Sequence, residues 1–538
     1  MKKTLALILA VFMVMTGFLA GCSGSGGSGG TSDNGGASAD FTYTGSGPIT
    51  DQEGATVSML AQNSYYTTVD IKEAPIVKKV QEDAGVTVEW TLVDPTNYQD
   101  AVSPMLAAGT DLPDIVLLPD RDANMTYISA GLFVKLDEYF DYMPNFKKWL
   151  DANPIMKASL TADDGHIYYV PGTNVTHNYQ PSIMYNMKWL SDAGKEVPET
   201  LDQFVELMRY YQETDMNGDG NASDEIPMSI TYTKDSDFLS YMFGPAFGLD
   251  LTSDTAKGFF INDDDAVEYG YTSDNYKAYL TFLNGLYAEG LLELEFTTLT
   301  RDQVIERFAQ DKTGVTFDFG WQQSMTYSPQ LSYYDGTPET GVVAQRPLSG
   351  EHEGFYAARV GLGNIFGVNA KSDNILNAVK FLDYTISEEN QEMYVWGIEG
   401  ESYTVESDGS RVYTEQAGDN EWLQQLGINP AQVYPAYQSV AATNALVAPW
   451  HGDADAALEK YMREPWPFIY ATEDEASIIS QYAVDIQTYV DEMKVSFITG
   501  TTSIDQFDSY VASLESMNID EIIKIRQAQY DRFKKALE

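Results

Sequence analysis

From residue 55 onward the chain alternates between two hydrophobic periods. Val57 to Ala61 is a short apolar run of the length a buried strand takes. Residues 73–84 follow with Ile76, Val77 and Val80 on one helical face. Val86, Val88 and Trp90 alternate through a second strand at 86–93, and 98–108 predicts a helix closed by Gly109. Asp114 to Leu118 is a third strand. Strand–helix–strand succession of this kind defines an α/β unit with largely parallel pairing.

A second unit begins near Ile183-Met184-Tyr185. Leu201, Phe204, Val205 and Met208 fall at i, i+3, i+4 and i+7, which predicts a helix burying that face, with Thr200 as its cap. Residues 276–289 form another helix, ended by Gly290. Gly314 to Phe319 is a strand that runs into Gly320-Trp321. Strand 364–368 and helix 375–386 follow, and the last seventy residues are helical over 474–498, 503–515 and 519–537.

The amino terminus follows a different logic. Lys2 and Lys3 precede an apolar stretch, Leu5 to Leu19, too short to favour a membrane span. It ends in Leu19-Ala20-Gly21-Cys22, small residues before the only Cys in the chain. A sole Cys has no disulfide partner. The expectation is a lipoprotein signal peptide over residues 1–21 and diacylglyceryl modification at Cys22. Residues 23–39 are Gly/Ser-rich and read as a flexible tether. Cleavage would leave 30 basic residues against 80 acids, a net charge of −50. Phosphate backbones and anionic lipid are repelled by such a chain, so nucleic acid is not an expected partner and the lipid is expected to hold the protein to its membrane. Aromatic residues make up 13% of the chain, with 36 Tyr and 8 Trp, side chains whose apolar faces and polar tips suit sugar rings.

Several blocks resemble one family, the large extracellular solute-binding lipoproteins (family 1 type) of Gram-positive carbohydrate ABC importers. They are VPETLDQFVELMRYYQETDMNGDGNASDEIPMS at 197–229, YKAYLTFLNGLYAEGLL at 276–292, TGVTFDFGWQQSM at 313–325, the stretch 378–409 containing Gly397-Ile398-Glu399-Gly400, and 467–500 ending in Phe497-Ile498-Thr499-Gly500. The resemblance implies a type II two-lobe α/β fold of the periplasmic-binding-protein kind, with lobes discontinuous in sequence and a helical C-terminus. The implied divisions are 22–52 for the lipidated Cys and tether, 53–178 with 360–445 for the first lobe, and 179–359 with 446–538 for the second. Crossings between lobes are expected near 171–182, 355–363 and 440–450. The implied function is capture of an oligosaccharide in the interlobe cleft by a monomer on the outer face of the membrane, and its delivery to an ABC permease.

The sharpest local motif is Asp215-x-Asn217-x-Asp219-Gly220-Asn221, followed by Asp224-Glu225. Ca²⁺ takes oxygen ligands at alternating positions of a tight loop, with Gly permitting the turn. Asp215, Asn217 and Asp219 fit positions 1, 3 and 5, and the Asn221 carbonyl falls at position 7. Glu225 sits at position 11, one short of the EF-hand glutamate, and Ile-Pro-Met-Ser-Ile reads as a strand, so this is not helix–loop–helix. The expectation is a structural calcium ion pinning a helix end to a strand, with the roles of Ser223 and Asp224 open. An acidic solvated loop is the competing reading.

For the ligand, Trp321 at a strand end is the first candidate, because a Trp at this place stacks on sugar in proteins of the resembled family. Asn63, Tyr65 and Tyr66 follow the first strand, and Asp120 and Arg121 follow the third; such loops host ligands in open α/β sheets. Trp396 and Tyr185 complete the set. Enzyme motifs are missing from the sequence: no His-Glu-x-x-His, no phosphate-binding loop, and four scattered His at 166, 177, 352 and 451. The rival classes are a secreted glycoside hydrolase and a calcium-binding adhesive surface protein.

Overall fold

The computed structural model describes residues 41–537 except 64–69, 120–123, 176–180, 234–235, 254–255, 263, 358–359, 419, 431–432, 438–441, 443–444, 446 and 465. Nine strands carry the architecture: β1 (Thr56–Gln62), β2 (Thr87–Val93), β3 (Ile115–Leu117), β4 (Tyr169–Val175), β5 (Pro181–Asn186), β6 (Ile226–Met228), β7 (Thr313–Phe319), β8 (Val342–Ala344) and β9 (Val360–Val368). They form two sheets, ordered β2-β1-β3-β9-β4 and β8-β5-β7-β6. In the first, β1 runs parallel to β2 and β3, while β9 is antiparallel to β3 and β4. The strand expected at 364–368 therefore joins those of the first unit, with Phe366 opposite Leu117.

Two hydrophobic cores follow from the two sheets. The first is built from 43–170 and 365–436, together with Tyr470. The second draws on 183–356 and 458–533. The helix Pro75–Ala84 buries the expected Ile76, Val77 and Val80 and stops at Gly85, whose φ of 69° is the left-handed conformation that Gly adopts without a Cβ penalty. The helix Leu201–Glu213 carries the expected Thr200 cap as a full capping box with Gln203. Its buried face is rotated from the expected one: Phe204, Leu207, Met208 and Tyr211 face the core, while Leu201 and Val205 are only partly covered. The 207/211 row packs there because Tyr211 meets Trp189 edge-to-face at 5.2 Å.

The tether expected over 22–52 is shorter on its carboxyl side. Residues 41–52 are docked on the first lobe, where Tyr43, Ile49 and Thr50 are buried. The Ile49 amide donates to the Ala84 carbonyl at 2.9 Å, and the Tyr43 hydroxyl donates to Asp383 at 2.8 Å. Burying an aromatic and an aliphatic side chain stabilises the docked form by roughly 1.5–3 kcal/mol each, more than Gly/Ser-rich sequence can supply.

The helices Glu473–Ile498, Phe507–Ser516 and Ile519–Leu537 match the expected helical terminus and bury Ile486, Val490, Phe497, Tyr510, Ile522 and Phe533 against the second core. No helix among the described residues is long and apolar enough to cross a membrane.

Candidate functional site

Register fixes where the strand ends lie. Because β1 and β3 are parallel, their carboxyl ends point the same way, and so does that of β4, two antiparallel steps from β3. From β4 the chain crosses to β5. In the second sheet Phe319, the last residue of β7, pairs with Pro181, the first of β5. The carboxyl end of β7 is thus held beside the point where the chain enters the second lobe. Val360, which opens β9, pairs with Val175 at the end of β4, so the return crossing lies there as well. The carboxyl ends of β1, β3, β4 and β7 all meet the interlobe crossings, the position at which open α/β sheets place ligands.

Trp321 stands at that end of β7, partly exposed, one residue beyond Gly320. The backbone then enters a single π-turn, Gln323–Tyr327, a feature frequent at functional sites. The polar groups beneath it are tied down. Asp318, 1% exposed, receives a two-pronged ion pair from Arg301 at 2.8 Å per arm and a hydrogen bond from the Tyr327 hydroxyl at 2.7 Å. The Gln323 amide group donates to Asp455 at 3.3 Å, and its oxygen accepts from the Ala344 amide at 2.8 Å, covering the outer edge of β8. The Ser324 hydroxyl lies 2.6 Å from His451 Nδ1; His451 Nε2 lies 3.1 Å from Asp455 but off the line of a hydrogen bond. These bonds fix the chain on both sides of Trp321, itself partly exposed. Sequence spacing gave no sight of it beyond the i, i+4 placement of His451 and Asp455, because Asp318, Gln323 and His451 are brought together by the sheet and the helix Pro449–Leu458.

The other candidates divide. Asn63 closes the end of β1: its amide donates to the Val93 carbonyl at 3.0 Å, and its side-chain oxygen accepts from the Ile71 amide at 3.2 Å. Tyr65, Tyr66, Asp120 and Arg121 lie outside the described residues. Two expectations are corrected. Tyr185, the penultimate residue of β5, is 0% exposed and flanked by Val315 and Val343 of the neighbouring strands, so its ring is buried in the second lobe rather than open to a ligand. Trp396 is 7% exposed, stacks on Tyr413 at 4.8 Å and lies under Arg411 at 5.8 Å. Its faces are occupied by the Tyr403–Val405 and Arg411–Tyr413 hairpin, which makes it a packing anchor rather than an open platform. A separate groove of about 980 Å³ runs along the flank of the second lobe between β8 and the helix Pro449–Leu458, with Arg346, Trp450 and Tyr461 in its walls; Trp321 does not line it.

The acidic loop links the helix Leu201–Glu213 to β6. The Asp215 carboxylate accepts from the amides of Gly218, Asp219 and Gly220 at 2.8, 3.1 and 2.8 Å. Asn217 accepts from the Asp219 amide at 3.0 Å, and Asp219 from that of Asn221 at 2.9 Å. One Glu225 oxygen accepts from the Met216 amide at 2.9 Å; the other is buried without a partner. Burial pushes the Glu225 carboxyl up from its usual range, against the pull of the Met216 and Asn217 amides. One Asp224 oxygen pairs with Lys312 at 2.9 Å; the other is buried without a hydrogen-bond partner, as in Glu225. Among the described residues no three His, Cys, Asp or Glu side chains stand together at metal-holding distance. The expected donor set is mixed, three carboxylates with an Asn side chain and a carbonyl, and the orphaned oxygens of Glu225 and Asp224 are the atoms that fit a cation.

Two α/β lobes joined by several crossings, with strand carboxyl ends facing the junction, define the two-lobe binding-protein class. The family model of the bacterial extracellular solute-binding proteins matches residues 75–400, more than half of the chain, and the chain belongs to that family. It is 25% identical over 520 residues to the fructooligosaccharide ABC transporter substrate-binding protein FusA of Streptococcus pneumoniae, covering 90% of this chain and 91% of that one. In fold it resembles an HMO-binding, ABC-transporter-associated solute-binding protein from Bifidobacterium longum infantis, with a TM-score of 0.74 at 20% identity over 90% of this chain and 99% of the other. It is similarly close to the alginate-binding protein AlgQ2, with a TM-score of 0.72 at 20% identity and the same coverage.

Proposed function

We propose that this protein captures an oligosaccharide between its lobes and delivers it to an ABC permease. The observation that carries the reading is Trp321, braced at the junction-facing end of β7 where the strand ends of the first sheet also point. The names of the similar proteins, a fructooligosaccharide binder among them, support the ligand class. A sugar ring laid on the indole gains apolar contact, and its hydroxyls need polar partners, since an unpaired buried group costs about 1–3 kcal/mol. Lobes joined by thin crossings hinge, and closure adds contacts only when ligand is present. A thermal-shift and calorimetric screen of oligosaccharides tests this: a ligand at 100 times its Kd should add about 2.7 kcal/mol to stability. Trp321→Ala should weaken binding at least tenfold with an unchanged melting temperature. Unchanged affinity would remove Trp321 from the site.

The protein works as a binder and not as an enzyme. Ser324, His451 and Asp455 have the residue types of a hydrolytic triad, but His451 is 0% exposed and the serine 8%, which supports the reading as a binder. Ligand recovered intact after long incubation supports this reading; product formed in proportion to added protein overturns it.

Two further parts belong to the proposal. A structural Ca²⁺ would be held by Asp215, Asn217, Asp219, the Asn221 carbonyl and Glu225, supplying the positive charge that the buried Glu225 oxygen faces. Cys22 would carry the lipid that keeps the protein on the outer face of the membrane, which the Leu-Ala-Gly-Cys sequence supports.

A further inference from the structure

Residues 466–470 run without regular structure between the strand Met462–Arg463 and the helix Glu473–Ile498. Their side chains divide between the two cores. Trp466 and Ile469 pack with the second core, Phe468 and Tyr470 with the first. Phe468 and Tyr470 thus meet one core while Ile469, between them, meets the other, so this stretch lies in the seam between lobes. Tyr470 is 7% exposed, with its ring 5.0 Å from Phe468 and 6.4 Å from Tyr169 on β4.

One guanidinium secures this segment. Arg532, on the terminal helix, donates through both terminal nitrogens to Glu475 at 2.7 Å, a forked pair at the first turn of the helix Glu473–Ile498. One of these nitrogens also donates to the Tyr470 carbonyl at 3.3 Å, and Nε lies 3.3 Å from Asp163. Asp163 sits in the turn between Leu160 and Ile167, both residues of the first core. Just upstream of that turn, Ala158 packs against the second core. The terminal helix, the start of the long helix, the 466–470 segment and a first-lobe turn therefore meet at one side chain.

We propose that residues 466–470, locked by Arg532, form an interlobe strap that limits how far the two lobes swing apart. Tyr470 anchors the strap in the first lobe, Trp466 and Ile469 anchor it in the second, and Arg532 holds it taut through Glu475 and Asp163. The inference needs only the two-lobe architecture, so its failure leaves the sugar-binding reading standing, and the reverse holds too.

The test is the distribution of interlobe distances in the ligand-free full chain with Cys22→Ser, spin-labelled at Glu89→Cys on the first lobe and Asp302→Cys on the second, both exposed positions. Tyr470→Ala and Arg532→Gln should broaden the distribution and lengthen its mean by several ångströms. Asp163→Asn, which removes only the exposed first-lobe arm, should broaden it less. Tyr470→Phe should match the parent chain, because the Tyr470 hydroxyl has no partner to lose. Should Tyr470→Ala fail to fold, Arg532→Gln and Asp163→Asn carry the test. Folded variants whose distributions superimpose on the parent overturn the strap, as does a Tyr470→Phe chain that opens.

Discussion

Replacing Asp383 by Asn removes a carboxylate that burial has pushed up to about 7, while hydrogen bonds from Phe146, Tyr43 and Asn145 pull the other way. Asp383 is 0% exposed in the helix Ile375–Thr385. It accepts from the Tyr43 hydroxyl at 2.8 Å, the Asn145 side chain at 3.0 Å and the Phe146 amide at 2.8 Å, so it joins the docked segment 41–50 to the first lobe. The folded state holds this proton more tightly than the unfolded chain, where an Asp titrates near 3.8. Between these values the native state binds more protons, so stability falls as pH rises toward 7 and recovers as pH falls toward 4. At about 1.4 kcal/mol per pH unit, the whole window is worth on the order of 4 kcal/mol, and the part between pH 7 and 5, where the group is half titrated at its upper end, about 2 kcal/mol. The net charge of −48 also relaxes on acidification, but equally in both proteins to within one charge. Urea unfolding of the parent and Asp383→Asn from about pH 5 to 8 at fixed ionic strength isolates the site. The parent should gain on the variant as pH falls. A stability difference that stays flat over that range would falsify the assignment of Asp383 as the titrating group.

Trp396→Ala should lower stability by about 3 kcal/mol through the cavity left beside Tyr413, with oligosaccharide affinity unchanged in the folded fraction; a selective loss of affinity in calorimetry would return Trp396 to the site. Chelation should lower the melting temperature of the parent and leave Glu225→Gln unmoved; equal responses in calorimetric scans would reduce the 215–225 loop to a solvated turn. Tyr185→Phe should be neutral or stabilising by up to about 1 kcal/mol, because its buried hydroxyl has no partner to lose; a large fall in denaturant midpoint contradicts that. Cys22→Ser should move the protein from the membrane fraction to the medium, or leave it unprocessed; equal membrane retention counts against the lipid anchor.

Local pattern carried much of the fold. The helices Pro75–Ala84 and Tyr98–Ala108, the first three strands and the terminal helices are legible because each buries a stripe whose period is that of its own backbone, and because Gly85 and Gly109 sit where a left-handed residue ends a helix. The acidic loop was legible for the same reason: its donors lie within eleven consecutive residues. What no local pattern holds is which face a side chain meets once sheets are assembled. Tyr185 and Trp396 carry the chemistry of sugar platforms in sequence, yet strand order seals the first and a hairpin covers the second. Trp321 stays partly open because β7 ends beside the crossing into β5. The Asp318–Arg301 and Ser324–His451 supports beneath it, and the alternation of 468–470 between two cores, depend on contacts made only when distant segments pack together. Sequence by itself determined the elements and the donors, since these rest on backbone period and residue chemistry; the tertiary structure decided which donors face the cleft, since burial is a property of neighbours the chain meets only on folding.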